Sequence, residues 1–235
     1  MSIYHLHIPR TSGIYIKQNI LPNLITKKIN HFVSNRTFID IKKIETSEFV
    51  GGHFGLMPLD YMNKPTVFSI IRHPLDRFIS YFKYTTGLIR SKKEIEEKIE
   101  SWLYGEQAEI QSNSQAKFLT GKMNIDKFNK NINFFQSSVN NNWFIENYSL
   151  DLNDIIDNIN NFYCYSMDNH NLFLEDLNKA LKKEFNFTTF YHKDKANRSP
   201  EIEFSLNKKQ VDRILELNQI DMEIYEYVQK SKKRF

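Results

Sequence analysis

The stretch TVFSIIRHPLDRFISYF, residues 66–82, decides how this chain is read. Thr66 to Ile71 is an unbroken β-branched and apolar run of the kind buried in a parallel sheet, where both faces are covered. Arg72, His73 and Pro74 end it. A helical pattern follows from Leu75 to about Thr86, with Pro74 suited to the first turn and Gly87 to the C-terminal cap. The same unit stands at the start of the chain. IYHLHI, residues 3–8, reads as a strand that stops at Pro9, and Ile16, Ile20 and Leu24 then recur at helical spacing, with a kink expected at Pro22. Two strand-loop-helix units predict an α/β fold whose central, mostly parallel sheet is flanked by helices.

Working outward, FIDIKKI (38–44) alternates faces as a strand would, and GGHFG (51–55) reads as a glycine-rich loop. Beyond Gly87 the chain turns mostly helical. Ser91 and Glu94 have capping-box spacing before a charged helix ending near Leu103. Gln107 to Leu119 and Leu152 to Ile159 are further helices. FYCYS (162–166) is a second buried strand type, followed by a helix over Leu172 to Leu181. The loop YHKDKANRSP (191–200) is polar and basic. Two helices close the chain, one with Val211, Ile214 and Leu215 on a face, the other with Ile224, Tyr225 and Val228.

Composition bounds the function. At 235 residues, with 40% apolar and 14% aromatic residues, the chain is expected to form a single domain spanning 1–235. The net charge of +4 is spread among interleaved acids, a pattern that suits a site for small, multiply charged phosphates and not a nucleic-acid track. Cys164 is the only cysteine, which excludes an internal disulfide and a thiolate metal cluster and predicts a buried, inert thiol. No apolar run approaches the roughly 20 residues that span a bilayer, and no signal-peptide pattern opens the sequence; a cytoplasmic location without membrane attachment is expected.

Chemistry gathers in two segments. HIPRTSG (7–13) lies where a strand gives way to a helix, so main-chain N–H groups and the helix dipole converge there on an anion. Ser12 and Gly13 allow close backbone approach, and Arg10 and Thr11 add a cation and a hydroxyl. A plain strand-to-helix turn carrying a surface arginine is the bland alternative. The segment is not a GxxxxGK[ST] loop, so ordinary ATP or GTP hydrolysis is disfavoured. In the second segment Arg72 ends a buried strand, where ligand contacts collect in open parallel sheets, and Ser80 lies about two turns into the next helix. Arg72 offers a bidentate grip on phosphate and Ser80 a hydroxyl, although Arg72 alone is equally suited to an ion pair with Asp76.

Together these residues carry a family resemblance. HIPRTSG resembles the 5′-phosphosulfate loop of sulfotransferases that use 3′-phosphoadenosine 5′-phosphosulfate (PAPS), commonly HIPKTGGT, and IIRHPLDRFISYF resembles their 3′-phosphate segment of RDPxxRFxSxY type. GGHFG is similar to the GH segment of the uronosyl 2-O-sulfotransferases of glycosaminoglycan synthesis. SNSQAKFLTG (112–121) resembles their NxQTRxLxG segment, ANRSP (196–200) a late substrate or nucleotide loop, and NQIDMEIYEYV (218–228) the closing helix with its DxxxY element. The resemblance implies a P-loop-like three-layer fold and a single sulfotransferase-like domain. It also implies PAPS as donor co-substrate without a metal, and a hydroxyl acceptor on a carbohydrate. Pro9, Arg10, Thr11, Ser12, Gly13, Arg72, Ser80, Asn197 and Arg198 would then bind the nucleotide, and His53 and Arg10 would be catalytic. Four positions depart from the family: its first-loop Lys is Arg10, its first glycine is Ser12, the Thr that often follows is Ile14, and the Asp of RDP is His73, read as structural.

By this resemblance His53 serves as general base, a role suited to a side chain that is largely neutral at cellular pH. On its own His53 could equally fill a turn. His5 and His7 form a period-2 pair on the first strand with no third ligand at metal spacing; His31, His170 and His192 read as surface residues, with His192 in the basic late loop. Two other classes stay open: a nucleotide or small-molecule kinase, which would need a Walker lysine and an acid for Mg²⁺, and a non-catalytic protein that binds adenosine bisphosphate or a glycan.

Overall fold

The computed structural model describes residues 2–13, 16, 29–32, 39–86, 91–131, 144–181 and 204–231. Five strands form one parallel sheet: β1 (Ile3–Leu6), β2 (Ile29–Phe32), β3 (Phe49–Gly52), β4 (Thr66–Ile71) and β7 (Tyr163–Ser166), in the order β2-β3-β1-β4-β7. β5 (Lys122–Met123) and β6 (Ile145–Glu146) make a separate antiparallel pair. The expected α/β class with a central parallel sheet is what the chain adopts.

Burial explains the continuous apolar strands, because helices cover both faces. Tyr4, Leu6, Val50, Val67 and Ile71 face one way, onto α5 (Ser114–Thr120), α7 (Leu152–Asn161) and α10 (Gln219–Lys230), whose Phe118, Ile155, Ile159, Ile224 and Val228 complete that core. Ile3, Phe49, Phe68 and Ile70 face the other way onto Phe173, Leu174 and Leu177 of α8 (His170–Leu181). The period of two along each strand thus sorts residues between the two helical layers. A third cluster joins α2 (Pro74–Thr85), α3 (Lys92–Tyr104) and α9 (Lys208–Leu217) through Phe78, Phe82, Trp102 and Ile214.

Two sequence expectations are corrected. FIDIKKI does not extend as a strand: within its described residues Ile41–Glu45 is a short helix, α1, because the Asp40 side chain accepts the Lys42 N–H and starts a turn. The run Gln107 to Leu119 is two helices, α4 (Glu106–Gln111) and α5, broken where Asn113 takes a left-handed φ of 43°. The helix over 114–120 is followed at a distance by α6 (Ile125–Asn131). Pro74 does open α2, and Ser91 caps α3 by accepting the Glu94 N–H; Thr86 is the α2 cap, while Gly87 and all but Ile16 of the helix expected on Ile16, Ile20 and Leu24 lie outside the described residues. Among the described residues no helix is long and apolar enough to cross a membrane.

Register sets what meets at the carboxyl edge. Leu6 pairs with Gly52 on one side and Ser69 on the other, and Ile71 pairs with Ser166. Residues 7–13, 53–55, 72–73 and 167–168 therefore leave the sheet side by side. After β1 the chain goes to one side of the sheet and after β4 to the other, so the strand order reverses between them, which is where crevices form in open parallel sheets.

Candidate active site

The loop after β1 is a tight turn. Thr11 is fully buried and donates both its hydroxyl (2.7 Å) and its N–H (3.3 Å) to Ile8 O, so its side chain fixes the turn first. Arg10 and Ser12 take left-handed conformations, φ 72° and 71°. Such backbone is unfavourable for residues with a Cβ and concentrates at functional sites. Only glycine adopts such a φ without penalty.

Across the crevice α2 presents Ser80, and Arg10 Nε donates to Ser80 Oγ at 3.0 Å. The two segments that the sequence set 70 residues apart thus touch at their proposed phosphate groups. The Arg10 guanidinium also lies 4.9 Å over the Tyr84 ring. Burial, and then the neighbouring Arg72 charge, lower the Arg10 pKa from its ordinary value. Burial also lowers that of Arg72, against which Asp76 and Asp168 act upward. A buried guanidinium further disfavoured by a neighbouring cation is one that a bound anion would relieve.

The backbone of Arg72 is held from behind. Gln115, completely buried at the start of α5, accepts the Arg72 N–H at 2.8 Å and donates to the Arg72 carbonyl at 2.9 Å. Gln115 and Ala116 N–H in turn donate to the two oxygens of Asp221 at 3.0 and 2.8 Å, and Asn113 Oδ1 accepts from the N–H of Ile220 and Asp221. Asp221 is completely buried beside Arg77, whose charge opposes the upward push of burial on its carboxyl. The SNSQAKFLTG and NQIDMEIY segments are therefore joined to each other and, through Gln115, to the strand end that carries Arg72.

His53 follows β3 directly; Gly51 and Gly52 of the expected glycine loop belong to that strand. Gly55 does turn the chain, at φ 58°, and a Cβ there would lie 2.2 Å from Gly121 O. His53 Nδ1 lies 2.9 Å from His7 O. A carbonyl only accepts, so Nδ1 carries the proton and Nε2 is left with its lone pair, the tautomer a base requires. Burial pushes the His53 pKa down to about 4, and the His7 carbonyl acts weakly upward. His53 is thus neutral at cellular pH, but as a weaker base than a solvated imidazole.

Pro9 is buried in the turn, and Gly13 stands where any Cβ would collide with the His7 ring. His73 caps α2 and meets the Tyr225 ring edge-on at 5.2 Å, in keeping with a structural role. His170 is not a surface residue: it is 1% exposed, its pKa pushed down to about 4 by burial, because α8 turns it toward Phe173 under the sheet. Cys164 is half-buried and not fully buried as expected, and desolvation pushes its thiol up to about 12. Asn197, Arg198 and His192 lie outside the described residues. Among the described residues no cluster of three or more His, Cys, Asp or Glu could hold a metal ion.

Sequence reading missed Tyr84 and Asp168, and gave no role to Gln115 although it stands at the Q of the SNSQAKFLTG resemblance. Asp168 accepts from Tyr225 Oη and Gln229 Nε2 at the end of β7, beside Arg72. Asp168 had a usable signal, as the first acid after the FYCYS strand. The chain matches no protein-family model and no curated protein.

Proposed function

We propose that this chain is a sulfotransferase that moves the sulfuryl group of PAPS to an acceptor hydroxyl on a carbohydrate. The observation that supports it most is the 3.0 Å contact of Arg10 with Ser80, with Arg72 alongside, because it joins the two segments that the resemblance assigns to the two ends of one nucleotide. In this reading Arg72 and Ser80 take the 3′-phosphate, and residues 9–13 take the 5′ end. The acceptor oxygen bonds to sulfur while the bond from sulfur to the bridging oxygen breaks, and its electron pair leaves with adenosine 3′,5′-bisphosphate. Arg10 meets the charge growing on that leaving oxygen. His53 Nε2 takes the hydroxyl proton. Donor anion bound nearby raises the His53 pKa from about 4, improving the base when the site is loaded.

Calorimetry with adenosine 3′,5′-bisphosphate and 5′-AMP tests the assignment. Arg72→Ala should weaken the bisphosphate by about 1.5–3 kcal/mol, the range for a charge-assisted contact, and 5′-AMP far less. Equal losses for both nucleotides would remove it. Turnover should survive EDTA; loss on chelation with rescue by Mg²⁺ would favour a kinase instead.

A further inference from the structure

On the reading of His53 as general base, a second histidine gains a role. We propose that His7 is a positioning residue for His53: its carbonyl and its imidazole, the latter seated in the space that glycine leaves at position 13, hold the His53 ring in one orientation and one tautomer.

Three observations converge. The His7 carbonyl receives His53 Nδ1–H at 2.9 Å, which fixes the proton on the nitrogen that does no chemistry. The His7 and His53 rings lie 4.2 Å apart at 31°. On its other edge the His7 ring fills the site of the missing Gly13 side chain, since a Cβ built there would stand 1.7 Å from Cε1 and 2.0 Å from Nε2 of His7. Below it His5 stacks at 5.3 Å and 16°, which continues the column along the same face of β1. Phe118 of α5 meets the His53 ring edge-on at 6.2 Å. Among the described residues His7 and Phe118 are the rings that meet His53, whose pKa burial lowers and the His7 carbonyl raises. A side chain larger than hydrogen at position 13 would drive the His7 ring out, so the glycine of the donor loop also fixes the base. Residues that hold a catalytic group act by geometry, and a displacement of about 1 Å can cost about a hundredfold.

The test compares wild type, His7→Ala and His7→Phe, each with isotopically labelled histidine. NMR reads the His53 tautomer and pKa; kinetics use PAPS with desulfated heparin as the acceptor probe. In wild type His53 should be a single Nδ1–H tautomer titrating near 4. His7→Ala keeps the backbone carbonyl but removes the ring that orients His53, so the Nδ1–H bond should loosen, the second tautomer appear and the pKa move toward the ordinary 6.5, with kcat down at least about tenfold and KM for PAPS within about twofold. His7→Phe, which returns a flat ring, should recover the single tautomer and most of kcat. If His7→Ala does not fold, His7→Leu, which fills the volume without a plane, replaces it. Unchanged His53 signals in His7→Ala, or a Phe variant that recovers nothing, would overturn the proposal. A wild type that neither transfers sulfuryl nor binds adenosine 3′,5′-bisphosphate would count against the sulfotransferase reading alone, because the NMR comparison still decides what His7 does to His53.

Discussion

The turn at residues 10–12 and the junction at Asn113 both run through left-handed backbone, yet they are held in opposite ways. At the junction the left-handed residue is held by a mesh of side-chain to backbone hydrogen bonds. Asn113 accepts the amides of Ile220 and Asp221, its own N–H goes to Asn218 Oδ1 at 3.1 Å, and Asp221 caps α5 beside the Arg77 charge. In the turn, Arg10 and Ser12 are left-handed without being glycine, and the side chains reach outward, to Ser80 and to Met167 Sδ at 3.0 Å. There the Arg10 charge is opposed by Arg72, itself partly offset by Asp76 and Asp168, where at the junction Asp221 supports the Arg77 charge. Matched charge marks scaffold. Like charge gathered at a strained turn marks a place made for a ligand.

The contrast is open to direct attack, and the junction should give the largest effect. Asp221→Ala removes the partner of a buried arginine and of two helix-start amides, so unfolding stability should fall by about 3–5 kcal/mol, read by urea denaturation. A loss below about 1 kcal/mol would mean that the network is dispensable and that the junction is not the scaffold described.

At the site, effects should appear in turnover and leave folding alone. His53→Ala should lower kcat by at least about a hundredfold while the affinity for adenosine 3′,5′-bisphosphate stays within about threefold, since a base makes no donor contact. Joint loss of binding and folding would make His53 a structural residue.

Protonation sharpens the same division. His53 and His170 are both depressed to about 4 by burial, against an ordinary value of 6.5. The unfolded chain therefore takes up protons at these positions first. Their contribution to stability is complete above about pH 6.5 and is lost as pH falls toward 4. Thermal melts across that window should show the loss, and His170→Phe should make it shallower without moving the pH dependence of turnover, because His170 lies beneath the sheet. An identical curve in the variant would remove His170 from the account.

The smallest effect tests the strain. Ser12→Gly relieves a φ of 71° at the cost of one sulfur contact and should raise stability by up to about 1 kcal/mol with bisphosphate affinity retained. A destabilised variant would show that the Met167 contact outweighs the backbone term.

The sequence by itself determined the layers and the two segments. Continuous apolar strands such as Thr66–Ile71 can be satisfied only with helices on both faces, and Pro74 and Ser91 announced helix starts through rules that act within one turn. It also named Arg10, Arg72 and Ser80 as candidate anion-binding groups by residue type and place, and His53 through the family resemblance. It misread FIDIKKI, where one Asx cap outweighed an alternating pattern, and it could not foresee Asn113, whose conformation is held by amides more than a hundred residues away. Only the tertiary structure decided that Arg10 meets Ser80, that Gln115 grips the Arg72 backbone, and that His7 lies between Gly13 and His53. Strand order and register bring those groups together, and both are set by packing across the whole sheet, so no local stretch of sequence carries them.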